Sequence, residues 1–92
     1  MSDPKQEILA KACQIVAERG EHYGPPSEHF ERTTRAINAI FADKIDVPFT
    51  PADWGMMMVI DKLAREQEVA KYDNLLDIIG YAACINQCRS VE

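Results

Sequence analysis

The chain has 92 residues, of which 47% are hydrophobic and 27% charged, and it carries a formal net charge of −5. This composition is typical of one folded domain over residues 1–92 and argues against intrinsic disorder. Lys and Arg form no continuous stripe, which argues against duplex DNA or RNA as a partner because binding the phosphate backbone needs a cationic surface. The chain lacks an apolar run of about 18 residues and a signal-like N-terminus, so we expect a cytoplasmic protein that does not enter a membrane.

The three cysteines, Cys13, Cys84 and Cys88, form no zinc-binding pattern. Their number is odd, and the last two are one helical turn apart. We therefore interpret all three as buried or half-buried thiols of a reducing compartment.

The first half of the chain predicts two helices separated by a turn. The Asp3-Pro4 pair is a start signal, and apolar residues at helical spacing extend the first helix over residues 4–19, with Gly20 as its stop. The segment 23–26, Tyr-Gly-Pro-Pro, cannot continue a helix because proline lacks an amide donor. The second helix is expected over residues 27–43, and its first residue, a serine, is a good N-cap.

The second half of the chain predicts two further helices. After an apolar connector, the segment Thr50-Pro51-Ala52-Asp53 combines a cap, a proline and an acid, which is typical of a helix start, so we expect a helix over residues 51–67. Residues 69–72 form the next turn, and Asp73 is expected to cap a fourth helix over residues 74–89. Since no stretch has the period of a β-strand, the predicted fold is an all-α, four-helix antiparallel bundle.

Apolar side chains predict that the bundle is completed by oligomerisation, because a chain this short buries a modest core on its own. Trp54, Met56–Met58, Phe41 and Phe49 would form a face wide enough for a partner. We therefore expect a homodimer or a higher homo-oligomer. Gly55 indicates that a neighbouring helix comes close, since glycine costs about 1 kcal/mol relative to alanine inside a helix.

Four charged residues lie near the expected junction of the third and fourth helices: Lys62, Arg65, Asp73 and Asp77. Helices joined by a short turn pack antiparallel, so the end of one helix faces the start of the next. Asp73 and Asp77 share a helix face on which they can hold Mg²⁺, and Tyr81 continues that face. Lys62 and Arg65 can neutralise phosphates. This arrangement predicts a phosphate-containing ligand bound with Mg²⁺.

The same four residues have structural explanations, and the sequence leaves these alternatives open. Asp73 can be a helix cap and Asp77 a solvated first-turn acid. Lys62 and Arg65 can form ion pairs within their own helix. The two cations can instead pair with the two aspartates across the helix junction and hold the helices together. The possible intrahelical partners at i,i+4 spacing are Glu66 and Asp61.

Residues around the Pro-Pro turn form a second group of candidates. Glu28 and Glu31 make a Glu-x-x-Glu pair that can ligate a metal, although such pairs are also common on solvated helix faces. His29 can contact a ligand, but an isolated histidine beside a turn is more often a surface residue. Tyr23 can stack on a base or pack against its own domain.

Three ordered boxes resemble those of a family of small phage and prophage proteins that are mostly described as uncharacterised. The boxes are Tyr23-Gly24-Pro25-Pro26 up to Phe30, Lys62-Leu63-Ala64-Arg65, and Asp73 through Asp77 to Gly80-Tyr81-Ala82. The resemblance covers about residues 8–88. That family in turn resembles the MazG-like all-α nucleotide pyrophosphohydrolases, which are helical dimers or tetramers that use Mg²⁺ to cleave nucleoside triphosphates.

The resemblance to MazG-like enzymes implies roles for particular residues. Their metal site combines a Glu-x-x-Glu motif with a Glu-x-x-Asp motif, and Asp73 and Asp77 would fill the second motif. Glu28 and Glu31 would supply the first, because the helix before Asp73 has Lys-x-x-Arg at that place. If the protein is an enzyme, we expect Lys62 to act with the two aspartates in catalysis by neutralising the phosphates.

The favoured hypothesis is therefore a MazG-like protein that binds a nucleotide and hydrolyses it through a Mg²⁺-bound water. One alternative is a nucleotide-binding module without catalysis, such as a phage protein that sequesters a nucleotide signal. Another is a structural or partner-binding helical protein whose charges only form salt bridges. The predicted ligand-binding residues are Lys62, Arg65, Tyr23, Tyr81 and His29.

Overall fold

A computed structural model describes residues 3–91 of the chain. This range contains four α-helices, one short 3-10 helix and no β-strand. The elements are α1 (Pro4–Tyr23), α2 (Pro26–Ile40), the 3-10 helix Ala42–Lys44, α3 (Pro51–Glu68) and α4 (Tyr72–Ser90). The prediction of an all-α, four-helix fold is confirmed. None of these helices is long and apolar enough to cross a lipid bilayer.

Two of the predicted helix starts are confirmed by their capping hydrogen bonds. Asp3 caps α1, since its Oδ1 accepts a hydrogen bond of 3.0 Å from the backbone N–H of Lys5. At the start of α3, the Asp53 N–H donates to Thr50 Oγ1 over 3.2 Å. The Thr50 N–H donates in return to Asp53 Oδ2 over 2.8 Å. This capping box supplies acceptors for two amide groups that have no partner within the helix.

The turn between α1 and α2 lies later than predicted. The first helix does not stop at Gly20 but continues to Tyr23, and Gly24 ends it with a positive φ of 76°. That φ favours glycine, which has no Cβ to clash, whereas a glycine within a helix costs only about 1 kcal/mol relative to alanine. The second helix begins at Pro26, because proline suits the first helical turn.

Two other helix ends also differ from the prediction. The second helix ends at Ile40, and Asp43 lies in the following 3-10 helix. The fourth helix begins at Tyr72, with Lys71 as its N-cap. Asp73 therefore lies inside the first turn and is not the predicted cap. The helix has no side-chain cap, and a glutamate of α3 binds the backbone N–H of its N-cap residue, as described below.

The antiparallel pair of α3 and α4 lies at the centre of the fold. The helix α1 packs on α4, and α2 packs across both α3 and α4. Met56 contacts Arg89 at one end of the pair and Glu66 contacts Asn74 at the other, which shows that the two helices run antiparallel. The molecule is only 20 Å thick along its shortest axis, about two helix diameters. A molecule this thin has little interior.

The buried core is correspondingly small. The buried hydrophobic residues in the described range are Ala12, Phe30, Ala52, Leu76 and Cys88. Trp54, Tyr81 and Ile85 pack against this core while remaining partly exposed. The structure thus leaves much of the chain's apolar surface in contact with solvent.

Gly55 allows α3 to approach its neighbours closely, as predicted. A Cβ at this position would lie 2.5 Å from Cγ1 of Ile85 on α4 and 3.3 Å from Cε2 of Phe30 on α2. The first distance is shorter than packed carbon atoms tolerate, so only glycine fits without movement of a neighbour. The cost of glycine inside a helix is therefore offset by closer helix packing.

We expect Gly55→Ala to destabilise the fold by about 1–3 kcal/mol, because the new methyl group would collide with Ile85. Gly20→Ala is the matched control, since Gly20 is also helical but has nothing within 4 Å of its Cβ position. That control should stabilise the fold by about 0.5–1 kcal/mol. Urea unfolding followed by circular dichroism measures both changes. Equal effects of the two substitutions would contradict the close approach at Gly55.

Candidate functional site

A cleft of about 420 Å³ lies between α1, the start of α2 and α4. This volume is within the range of small-molecule sites. Its wall is mainly apolar and includes Ala12, Ile15, Val16, Phe30 and Leu76. The side chains that bring polar atoms to the cleft are Arg19, Tyr23, His29, Asp77, Tyr81 and Cys84. An apolar wall with a few convergent polar groups is typical of a ligand-binding site.

Two glycines keep the cleft open. Gly20 on α1 and Gly80 on α4 both line it. The position of a Cβ at Gly20 is surrounded by open space, and the position at Gly80 is 3.9 Å from Cγ2 of Val16. Larger side chains at these two positions would occupy the volume of the cleft. The turn at Gly24 then directs α2 across one end of the cleft.

Four of the residues predicted from the sequence line this cleft, namely Tyr23, His29, Asp77 and Tyr81. Tyr23 is 73% exposed, so its ring is available to a ligand. The rings of His29 and Tyr81 lie 6.1 Å and 6.5 Å from the ring of Phe30, centroid to centroid. The cleft therefore has an aromatic rim as well as an apolar wall.

Asp77 takes part in an ion pair that crosses from α3 to α4. The Nζ atom of Lys62 lies 2.9 Å from Oδ2 of Asp77, and the two side chains are 21% and 31% exposed. This is one of the structural alternatives left open by the sequence, the pairing of charges across the helix junction. Because Asp77 also lines the cleft, the ion pair borders the candidate site.

Arg65 and Asp73 do not join this ion pair. Arg65 Nε donates to Asp61 Oδ2 on its own helix over 3.0 Å, as in the intrahelical alternative. Asp73 is exposed in the first turn of α4 and forms no ion pair with any residue in the range 3–91. Of the four charged residues expected together at the helix junction, the structure brings together Lys62 and Asp77.

The two glutamates expected to ligate a metal line a different, smaller pocket, of about 210 Å³. Glu31 also forms an ion pair with Arg35, with Oε1 2.7 Å from Nη2. Across the described residues, no three His, Cys, Asp or Glu side chains are grouped closely enough to hold a metal ion. Glu28, Glu31, Asp73 and Asp77 therefore do not form one Mg²⁺ ligand set within a single copy of the chain.

Arg19 is a cleft residue that the sequence did not predict. It is exposed on α1, one turn before Tyr23, and forms no salt bridge within the part of the chain that the structure describes. A spacing of four residues places Arg19 and Tyr23 on the same helix face, so the sequence could have indicated Arg19 as a second site residue beside Tyr23. It did not, because the helix was predicted to stop at Gly20, before Tyr23.

Burial raises the pKa of the Cys84 thiol, and the positive charge of Arg19 opposes that rise. A raised pKa leaves less thiolate at neutral pH, so Cys84 is not activated as a nucleophile. Cys84 is half-buried and Cys88 is buried, as predicted, but Cys13 is exposed. The prediction for Cys13 was wrong because the apolar face of α1 points away from it.

Glu66 organises the start of α4. Its Oε1 accepts hydrogen bonds from the backbone N–H of Lys71 over 2.7 Å and from Nδ2 of Asn74 over 3.1 Å. These two bonds, the backbone one first, lower the pKa of the Glu66 carboxyl group. Asn74 is buried, and its amide donates to Glu66 and, over 3.5 Å, to the carbonyl oxygen of Val69. Glu66 thus holds the N-cap residue and the first turn of α4, while the helix has no side-chain cap of the kind expected from Asp73.

These features define a small all-α protein with a ligand-sized cleft on one side. The family described as Domain of unknown function (DUF6378) matches residues 7–89, so the chain belongs to this family. The "Gene 55 protein" of Mycobacterium phage L5 is 34% identical to it over 87 residues, which are 92% of this chain and 54% of the phage protein. The chain thus spans about half the length of this relative. The predicted relationship to a phage-associated family is confirmed, and no solved structure matches the chain.

Asp77→Asn should lower the free energy of unfolding by about 1–2 kcal/mol, because it leaves the half-buried ammonium group of Lys62 without its counter-charge. Asp61→Asn is the matched control. It breaks the exposed pair with Arg65 and should change stability by less than about 0.5 kcal/mol. Chemical denaturation of both variants measures the difference. An Asp77→Asn variant as stable as wild type would contradict a structural role for its ion pair.

The Glu66 carboxyl group should make stability depend on pH. Its pKa in the folded state lies below the ordinary value of 4.5, so the ionised group stabilises the fold above that pH. This contribution is lost as the pH falls through the lowered pKa. We expect Glu66→Gln to lower the Tm at neutral pH, and the difference from wild type to shrink at about pH 3.

The control for this experiment is Glu68→Gln, which changes an exposed glutamate on the same helix whose side chain forms no hydrogen bond within residues 3–91. Its Tm should match that of wild type at both pH values. Thermal melts by circular dichroism measure all three proteins. A Tm difference for Glu66→Gln that stays constant between the two pH values would contradict the role of its ionised form.

Proposed function

We propose that this protein binds a nucleotide in the cleft between α1, α2 and α4. The supporting observation is the combination, in one ligand-sized cleft, of a guanidinium group, an exposed aromatic ring and an apolar wall. A nucleotide has the complementary parts, which are anionic phosphates and a flat aromatic base. The few polar groups would orient the ligand while the apolar wall excludes water.

Arg19 is the residue best suited to bind the phosphates. Its guanidinium is exposed and its planar fork matches two phosphate oxygens. Lys62 has a second positive charge, but the carboxylate of Asp77 already compensates it at 2.9 Å. In this proposal Lys62 positions Asp77, and Arg19 takes the phosphate-binding role that was expected of Lys62. Arg65 is paired on its own helix and is not part of the proposed site.

Tyr23 is the residue best suited to bind the base. Its ring is 73% exposed at the rim of the cleft, and stacking of a base on an aromatic ring contributes about 1–3 kcal/mol. Asp77 can accept a hydrogen bond from an amino group of the base or from a sugar hydroxyl. His29 and Tyr81 line the same cleft and can donate hydrogen bonds to the ligand.

Hydrolysis is not part of this proposal. A MazG-like pyrophosphohydrolase needs several carboxylates around Mg²⁺, and of the four expected ligands Asp77 alone is among the residues lining the cleft. That carboxylate is already paired with Lys62. This donor set does not fit a Mg²⁺ site built by one chain, since Mg²⁺ requires a near-octahedral set of oxygen ligands. We therefore favour a nucleotide-binding module without catalysis, in which Mg²⁺ enters only with the phosphates of the ligand.

Calorimetric and thermal-shift titrations with ATP, GTP, their deoxy forms and cyclic nucleotides, each with and without Mg²⁺, test the proposal. A bound nucleotide should raise the Tm. Arg19→Gln should weaken binding about tenfold, equivalent to about 1.4 kcal/mol. Arg32→Gln is the matched control, because Arg32 is exposed on α2, is not among the residues that line the cleft, and its substitution changes the charge equally.

Equal losses in the two arginine variants would mean that the charge acts non-specifically and would contradict the assigned site. If no nucleotide shifts the Tm, the structural or partner-binding alternative is favoured instead. Release of pyrophosphate in the presence of Mg²⁺ would show that the protein is a hydrolase and would overturn the non-catalytic form of the proposal.

Thiol alkylation can locate the ligand. Cys84 lies in the cleft wall, whereas Cys13 is exposed on α1 and is not among the residues lining the cleft. A nucleotide in the cleft should slow alkylation of Cys84 and leave that of Cys13 unchanged, as measured by mass spectrometry. A nucleotide that binds without protecting Cys84 occupies another site.

A further inference from the structure

An apolar strip runs along the outer side of α3. Met56, Ile60 and Leu63 are 37%, 64% and 54% exposed. Their spacing places them on one face of the helix. By contrast, Trp54 and Met57 are half-buried, so only part of the apolar face expected from the sequence reaches the surface. An unpartnered apolar strip of this kind needs an explanation in a molecule with so small a core.

The strip continues onto α4. Leu75 is 45% exposed, Ile79 is half-buried and Ala82 is exposed, and the three share one helix face. The contacts of Met56 with Arg89 and of Glu66 with Asn74 define the antiparallel register of the two helices. This register places Leu63 level with the Leu75–Ile79 turn and Ile60 level with the Ile79–Ala82 turn. The two rows of apolar side chains therefore lie side by side.

This surface, the outer α3–α4 face, consists of Met56, Ile60, Leu63, Leu75, Ile79 and Ala82. None of the six side chains is charged. The face lies on the side of α4 opposite the cleft, because Asp77, Gly80 and Cys84 line the cleft from the other side of that helix. A partner could cover the outer α3–α4 face without closing the cleft.

We propose that a second copy of this chain packs against the outer α3–α4 face, related to the first by a two-fold axis. A two-fold axis pairs a surface with itself, and an uncharged apolar strip is complementary to a copy of itself. The α3–α4 pair is about 27 Å long, from the 18 residues of α3, and about 20 Å wide, the width of two adjacent helices. A partner that covers this whole side of the pair, with the outer α3–α4 face at its centre, would bury about 1,000 Å² in total, which reaches the lower limit for a specific dimer.

The thin shape of the molecule also supports a second copy of this chain as the partner. One copy is 20 Å thick and has few buried hydrophobic residues. Packing the α3–α4 pair of one copy on that of its partner makes a central four-helix layer, in which the outer strip becomes core. The dimer thereby buries the apolar surface that a single copy leaves in water. This inference is independent of nucleotide binding.

Leu63→Lys tests this interface, and Leu9→Lys is its control. Leu63 and Leu9 are 54% and 56% exposed on helices, and both substitutions change the charge equally. Sedimentation velocity of the full chain at micromolar concentrations should give wild type and Leu9→Lys at twice the mass of one chain. Leu63→Lys should weaken dimerisation at least tenfold, because a lysine at the interface must lose its hydration.

A wild-type protein that sediments as a single chain overturns the proposal, and so does a dimer that Leu63→Lys leaves unchanged. If Leu63→Lys fails to fold, the concentration dependence of the wild-type Tm decides. A Tm that rises with protein concentration supports a dimer, and a Tm independent of concentration overturns it.

Discussion

The close packing of α3 against α4 is the constraint on which the rest of the structure depends. At one end, Gly55 leaves no side chain between α3 and Ile85 of α4. At the other end, Glu66 receives hydrogen bonds from the first turn of α4. Lys62 and Asp77 form an ion pair between these two points. These three contacts hold α3 and α4 together along their length. The other two helices, α1 and α2, pack on one side of this pair.

This arrangement gives α4 two different exposed sides. One side carries Asp77 and Gly80 and, together with α1, forms the cleft. The other side carries Leu75 and Ile79 and remains apolar and open. A single helix thus contributes to the proposed ligand site and to the proposed subunit interface. Because the two surfaces lie on opposite sides of the helix, one can be occupied without covering the other.

The four charged residues near the helix junction do not form one cluster, because they differ in their partners. Lys62 is paired across the junction, and Arg65 is paired along its own helix. Asp73 remains exposed at the start of α4. The cleft therefore receives its positive charge from Arg19 of α1. This residue is distant in sequence from the charged residues of the helix junction. A site built this way is better suited to hold an anionic ligand than to collect metal-binding carboxylates.

By itself, the sequence determined that the fold has four α-helices and that two of them start at Asp3 and Thr50, because capping and helical periodicity depend on neighbouring residues. It also indicated four of the residues that line the cleft. It did not determine which charges meet, since Lys62 has possible carboxylate partners both one turn away on its own helix and across the junction. The rotation and register of the packed helices decided between these partners of Lys62. They also placed Arg19 in the cleft. Helix rotation and register depend on contacts between residues far apart in the chain, so only the tertiary structure fixes them.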